Sequence, residues 1–207
     1  MTTLTTLRAS VRLRLGVSAS DPQLTDINLT EMLNASFIQA GNLRNWPWLQ
    51  DERTFSTAAG TKDYAVDDTW RRTLLLSTEQ GDIKFRTRTD LIRSQSQAGS
   101  PRAWTYARVN GVDYIRFYPT PTAVETVTEV FLIQHVPLVD GSDETAWPDW
   151  ATDFPMLQAA QMAASKIQPE LAGTVAQELG RAYEALKDEV MPVAAGVLPA
   201  RRSGWWV

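Results

Sequence analysis

Acid–base or nucleophilic chemistry in this 207-residue chain would have to pass through very few side chains. There is one histidine, His135, and no cysteine, so a Ser/His/Asp arrangement could use only that imidazole. Its neighbours Gln134 and Val136 place it mid-strand, no Gly-x-Ser-x-Gly elbow is present, and His135 reads as a structural residue. Asp140-Gly141-Ser142-Asp143-Glu144 offers oxygen ligands for a hard cation such as calcium, but it departs from the EF-hand spacing and lacks a distal ligand. Glu125 and Glu129 are a carboxylate pair of the kind glycosidases use. Four apart in a strand, they share a face at roughly 13 Å separation, and nothing argues that they line a cleft. Phosphate loops, Gly-x-Gly-x-x-Gly stretches and Cys/His metal clusters are absent. No catalytic residue, cofactor-binding residue or metal ligand is assigned, and the chain is read as a non-enzyme.

The residues best suited to recognition lie in the segment 192–207. Pro192, Gly196 and Pro199 oppose a helix there, and Arg201-Arg202-Ser203-Gly204-Trp205-Trp206-Val207 follows. Disordered segments are poor in aromatics, whereas Trp is enriched at binding hot spots. Two buried Trp offer roughly 7 to 12 kcal/mol at ~25 cal/mol per Å². Fixing seven residues costs about 7 to 10 kcal/mol in backbone freedom, so a single arm binds marginally and many arms together bind well. Arg201, Arg202, Trp205, Trp206 and Val207 are therefore the candidate binding residues of an extended arm.

Helices must present that arm. From Glu170 to Met191, Leu171, Val175, Leu179, Ala182, Leu186 and Val190 recur at helical spacing, with Pro169 at the start and Pro192 at the stop. Phe154 to Gln168 supplies the first half of this helical hairpin. Near the other end, Leu4, Leu7, Val11 and Leu15 form one helix face closed by Gly16, and Arg8, Arg12 and Arg14 lie off it on a solvated polar face. A second helix runs from about Thr25 to Trp46, with Leu29, Leu33, Phe37, Ala40 and Leu43 near one side, and Trp46-Pro47-Trp48 stops it.

Between the helical halves lies a block of about six strands: Arg53 to Ala58, Tyr64 to Val66, Arg72 to Leu76, Ile83 to Arg86, a hairpin, and Thr126 to Val136. Thr89 to Ser96 reads as a short helix or a lid-like turn. In the hairpin, Asn110-Gly111 is the two-residue turn that accepts positive φ at both positions. It pairs Val109 with Val112, Ala107 with Tyr114, Tyr106 with Ile115 and Trp104 with Phe117. One hairpin face thus carries Trp104, Tyr106, Ile115 and Phe117. A polar segment follows, with Asp140, Asp143, Glu144, Asp149 and Asp153 around Trp147 and Trp150.

The fold class expected is α+β: a helical bundle of two N-terminal and two C-terminal helices, an inserted antiparallel β block and an extended C-terminal tail. Its parts are residues 1–50, N-terminal helices; 51–138, the β domain; 139–191, the helical hairpin; and 192–207, the arm. Hydrophobic content of 43% and charged content of 21% are those of a soluble globular chain. No run approaches a membrane span, and arginines interrupt the first sixteen residues too often for a secretory signal, so the expected compartment is the cytosol. The formal charge is -4 and concentrates in the second half, which argues against a general nucleic-acid binder.

The order of these features resembles the head-to-tail adaptor (connector, or head completion) proteins of tailed bacteriophages. The resemblance rests on Thr25-Asp26 opening a helix, Asn34-Ala35 within it and Trp46 at its end. Gly60-Thr61-Lys62-Asp63-Tyr64, Gly99-Ser100-Pro101 before the hairpin and Phe117-Tyr118-Pro119-Thr120-Pro121 continue it. Val136-Pro137-Leu138 and the Ala-rich helical pair complete it, over roughly residues 20–190. It implies a ring of probably twelve copies beneath the portal, self-associated, with packaged DNA passing through the lumen without sequence-specific contact. The implied partners are the portal protein and a tail or second neck protein, with no membrane. The implied location is the virion neck, reached through assembly in the host cytoplasm, and the arm falls where such adaptors carry portal-contacting segments. The alternative is another tail or baseplate structural protein.

Overall fold

A computed structural model describes residues 2–91 and 98–190. The chain divides into two compact units, one made of the described residues of Met1–Trp48 and Pro137–Val207, the other of Leu49–Val136.

In the first unit, α1 (Leu4–Leu15) buries Leu4, Leu7, Val11 and Leu15, the four residues of its apolar face. The Thr3 side chain accepts the Thr6 N–H at the start, and Gly16, at φ 64°, turns the chain out of the helix. α2 (Asp26–Leu43) is capped by Thr25 and buries Leu29, Met32, Leu33, Phe37 and Ala40. It ends three residues before Trp46, and Leu43, expected on the buried side, is 53% exposed. In the remaining helices, α3 (Arg88–Leu91) is a single turn in the β unit, α4 spans Asp153–Ile167 and α5 spans Pro169–Glu189. Alanines 159, 160, 163 and 164 are fully buried on α4, which lets α4 touch α1, α2 and α5. On α5 only Val175 and Leu186 of the expected stripe are buried, and the rest of it is half covered.

The described residues of the second unit hold eight strands where about six were expected: β1 (Gln50–Ser56), β2 (Asp63–Ala65), β3 (Trp70–Thr78), β4 (Gly81–Asp82), β5 (Lys84–Phe85), β6 (Ala103–Val109), β7 (Val112–Tyr118) and β8 (Thr126–Ile133). They form two four-stranded sheets, β1-β8-β3-β4 and β2-β7-β6-β5. Leu76 and Val127 of the first sheet meet Trp104, Ile115 and Phe117 of the second in a shared core, with Ile83 between β4 and β5. The hairpin register is Val109↔Val112, Ala107↔Tyr114, Tyr106↔Ile115 and Trp104↔Phe117. Asn110 and Gly111 take φ 51° and 83° at its turn, the conformation in which Gly has no steric penalty and Asn a small one. The block is not wholly antiparallel, since β5 runs parallel to β6 with Lys84 opposite Ala103. Tyr106, on the aromatic face, stays 38% exposed at the sheet margin.

Candidate functional site

The acidic run after β8 caps a helix. The carbonyls of Gly141 and Asp143 accept the N–H groups of Thr5 and Leu4 at 3.0 and 2.9 Å, two donors that the first turn of α1 cannot satisfy itself. The Asp143 carboxylate accepts the N–H groups of Val139 and Asp140 at 2.7 and 2.8 Å, and these bonds hold its pKa below the usual carboxylate value. Asp149 accepts from the Thr2 hydroxyl at 2.6 Å. Among the described residues no three acidic, His or Cys side chains are placed to hold a metal ion.

His135 lies beyond the end of β8 rather than within a strand. It is 8% exposed, and burial lowers its pKa to about 4, which keeps the imidazole neutral at pH 7. The Glu125/Glu129 pair separates by environment: Glu125 precedes β8 and is partly exposed, whereas Glu129 is wholly buried. One Glu129 oxygen accepts from Arg53 Nε at 2.7 Å, the other from the Thr73 hydroxyl at 2.5 Å and Trp70 Nε1 at 3.1 Å. Arg53 lies opposite Glu129 across the β1–β8 ladder and stacks over Phe55 and Phe131. Three donors from β1 and β3 converge on the Glu129 carboxylate, so it ties those strands to β8.

Arg8 and Arg12 are not on a solvated face. Arg8 donates to the Thr30 hydroxyl at 2.6 and 2.9 Å, and Arg12 to the Leu24 carbonyl at 3.0 Å and Asp26 at 2.6 Å. The bond from Arg12 draws the Asp26 pKa down. Arg14 reaches Glu178 of α5 at 2.6 Å. Helical spacing places these guanidinium groups beside the apolar stripe, and their length carries them over the next helix.

The feature with most capacity for recognition is a tryptophan ladder in the helical unit. Trp46 is buried, donates Nε1–H to the Ala40 carbonyl at 2.8 Å and stacks on Trp48 at 5.0 Å. Trp147, 1% exposed, meets Trp46, Trp48 and Phe37 at 5.7, 5.3 and 5.8 Å. Trp48 then meets Trp150 edge-on at 5.2 Å, and Trp150 is 49% exposed. Such offset and edge-to-face contacts are favoured by the ring quadrupole. The outermost rung opens into a groove of about 220 Å³ lined by Trp150, Asp153, Phe154, Ala182, Leu186 and Glu189. Sequence reasoning missed this ladder, although two Trp-Pro pairs, Trp46-Pro47 and Trp147-Pro148, were its signal. Arg201, Arg202, Trp205, Trp206 and Val207 lie outside the described residues, as do residues 92–96 of the expected lid-like turn.

The family model for SU10 adaptor protein matches residues 2–202. The chain belongs to the SU10 adaptor protein family, a phage head-to-tail adaptor family. No curated protein matches the chain. In this adaptor some of the segments that carry the resemblance are joints of the fold. Asn34 donates to the Leu138 carbonyl and accepts the Leu138 N–H, both at 2.9 Å, so one amide pins the chain returning from the β unit to α2. In Gly60–Tyr64 the Tyr64 hydroxyl accepts the Ala58 N–H at 2.8 Å and bonds the Thr61 carbonyl at 3.0 Å. Asp63 binds Arg116 in a two-pronged pair at 2.5 and 2.8 Å, which raises the arginine's pKa and locks β2 to β7. The adaptor's described helices include none long and apolar enough to cross a membrane.

Proposed function

We propose that this adaptor is a ring subunit of the phage neck, mounted under the portal, extending the DNA channel and offering the tail a docking surface. The observation that carries the reading is the family match over residues 2–202, nearly the whole chain. Asp143 caps, Glu129 ties strands, and Arg8 and Arg12 join helices, which suits a structural part. In this reading the helices form a bundle interrupted by a β domain of residues 51–138, and residues 192–207 are the arm. Trp205 and Trp206 fill apolar pockets of the portal, Arg201 and Arg202 pair with acidic groups at the pocket rim, and Val207 follows them in.

The ring has twelve copies, forms from monomers on meeting the portal, and lines its lumen with the acidic C-terminal half so that DNA slides with few phosphate contacts. The assembled protein resides in the virion neck, and assembly takes place in the host cytoplasm. Removing residues 201–207 tests the reading: the truncated subunit folds and fails to attach to DNA-filled heads. Full attachment of the truncated subunit would show that the arm is dispensable.

A further inference from the structure

We propose that in the free subunit the arm seats on its own chain, in the groove at the end of the tryptophan ladder. Glu189, the last residue of α5, lines the groove, so the described chain ends one residue beyond a groove residue. From Glu189 to Ser203 a fully extended chain spans at most about 50 Å, far more than a return to the groove needs. Pro192, Gly196 and Pro199 are the residues that turn a chain rather than continue a helix.

The chemistry of the groove matches the arm. Its floor carries Phe154, Ala182 and Leu186, its wall is the half-exposed Trp150, and its rim holds the carboxylates of Asp153 and Glu189. The arm brings two indoles and two guanidinium groups. An indole laid on Trp150 adds a rung to a ladder that already runs through Trp48 and Trp147, and arginines beside it face carboxylates.

A marginal contact suffices here because the arm is tethered. Binding within one chain operates at an effective concentration in the millimolar range for short flexible links, with no loss of translational freedom. The same weakness lets a better or multivalent site take the arm away. Seating keeps two tryptophans from bridging free subunits before assembly. It is a property of the free subunit, whatever the arm meets later.

The chain has no cysteine, so a disulfide can report the contact without background. Ala185→Cys, at an exposed position of the groove lining, and Ser203→Cys on the arm are introduced together, and oxidation of the dilute subunit is followed by mass and peptide mapping. The expected product is an intramolecular disulfide in a monomer. Its rate falls about tenfold when Trp205→Ala and Trp206→Ala are added, because releasing a marginally seated arm removes only the excess of closed over open chains. Glu189→Lys, a surface change outside the core, slows it as well. A disulfide found only between two chains, no disulfide, or a rate indifferent to the tryptophans and to Glu189 would overturn the proposal. Circular dichroism of each variant establishes that the fold is intact, and a peptide of residues 199–207 added in excess should compete with the seated arm and slow closure.

Discussion

Replacing Glu129 by Gln tests whether the buried Arg53–Glu129 pair holds the two sides of the β1–β8 ladder in register. The substitution keeps the shape and removes the charge, leaving Arg53 opposite an amide that cannot accept at both positions. One oxygen now serves Arg53 and the other serves Thr73 and Trp70, so either orientation of the amide sets a donor against a donor. Breaking a buried pair costs ~3 to 5 kcal/mol. Arg53 is 26% exposed and water screens part of its charge, which brings the expectation to about 2 to 4 kcal/mol. Urea unfolding followed by circular dichroism should show the midpoint falling by about 2 M for a slope of roughly 1.5 kcal/mol per M. Arg53→Met alone should cost as much, because it strands the carboxylate. The double change Arg53→Met with Glu129→Leu should recover most of the loss. A Glu129→Gln cost below about 0.5 kcal/mol, or single effects that simply add in the double variant, would refute the reasoning.

Other outcomes follow from the same geometry. Asn34→Ala removes both bonds to Leu138 and should cost about 2 kcal/mol, lowering the melting temperature by roughly 4 to 8 °C in calorimetry. Trp147→Ala should cost about 3 to 5 kcal/mol by opening the ladder's core, whereas Trp150→Ala should cost under about 1 kcal/mol in the same assay, since half of that side chain already faces water. His135 has a folded pKa of about 4 against an ordinary 6.5, so the unfolded chain binds the extra proton between those values. Its contribution is therefore complete above pH 6.5 and is lost as pH falls toward 4, by up to about 3 kcal/mol. His135→Phe should flatten that part of the stability profile.

Local patterns were legible in the sequence wherever the cause was local. The α1 stripe and its Gly16 stop need only helical spacing and one left-handed residue, and the hairpin register needs only Asn110-Gly111. What depends on remote partners was not legible. Pairing of β8 with β1 and β3 joins residues some 50 to 80 positions apart, and neither β1 nor β8 announces that Glu129 will be sealed between Arg53, Thr73 and Trp70. Arg8 and Arg12 were placed on a polar face because helical spacing says nothing of a neighbouring helix that offers Thr30 and Asp26. The acidic loop reads as oxygen ligands for a cation, but two of its carbonyls cap α1 and the Asp143 carboxylate folds back on the N–H groups of Val139 and Asp140. The ladder was hidden for the same reason: Trp46 and Trp147 stand about a hundred residues apart and meet only after the β unit has been completed.

The central claim is tested most directly by an electron cryomicroscopy reconstruction of the neck in the phage particle that carries this adaptor. The account expects a closed ring of this chain between portal and tail, with residues 192–207 running into the portal and Trp205 and Trp206 in its pockets. A neck without the chain, or the chain found at the baseplate or along the tail, would contradict it.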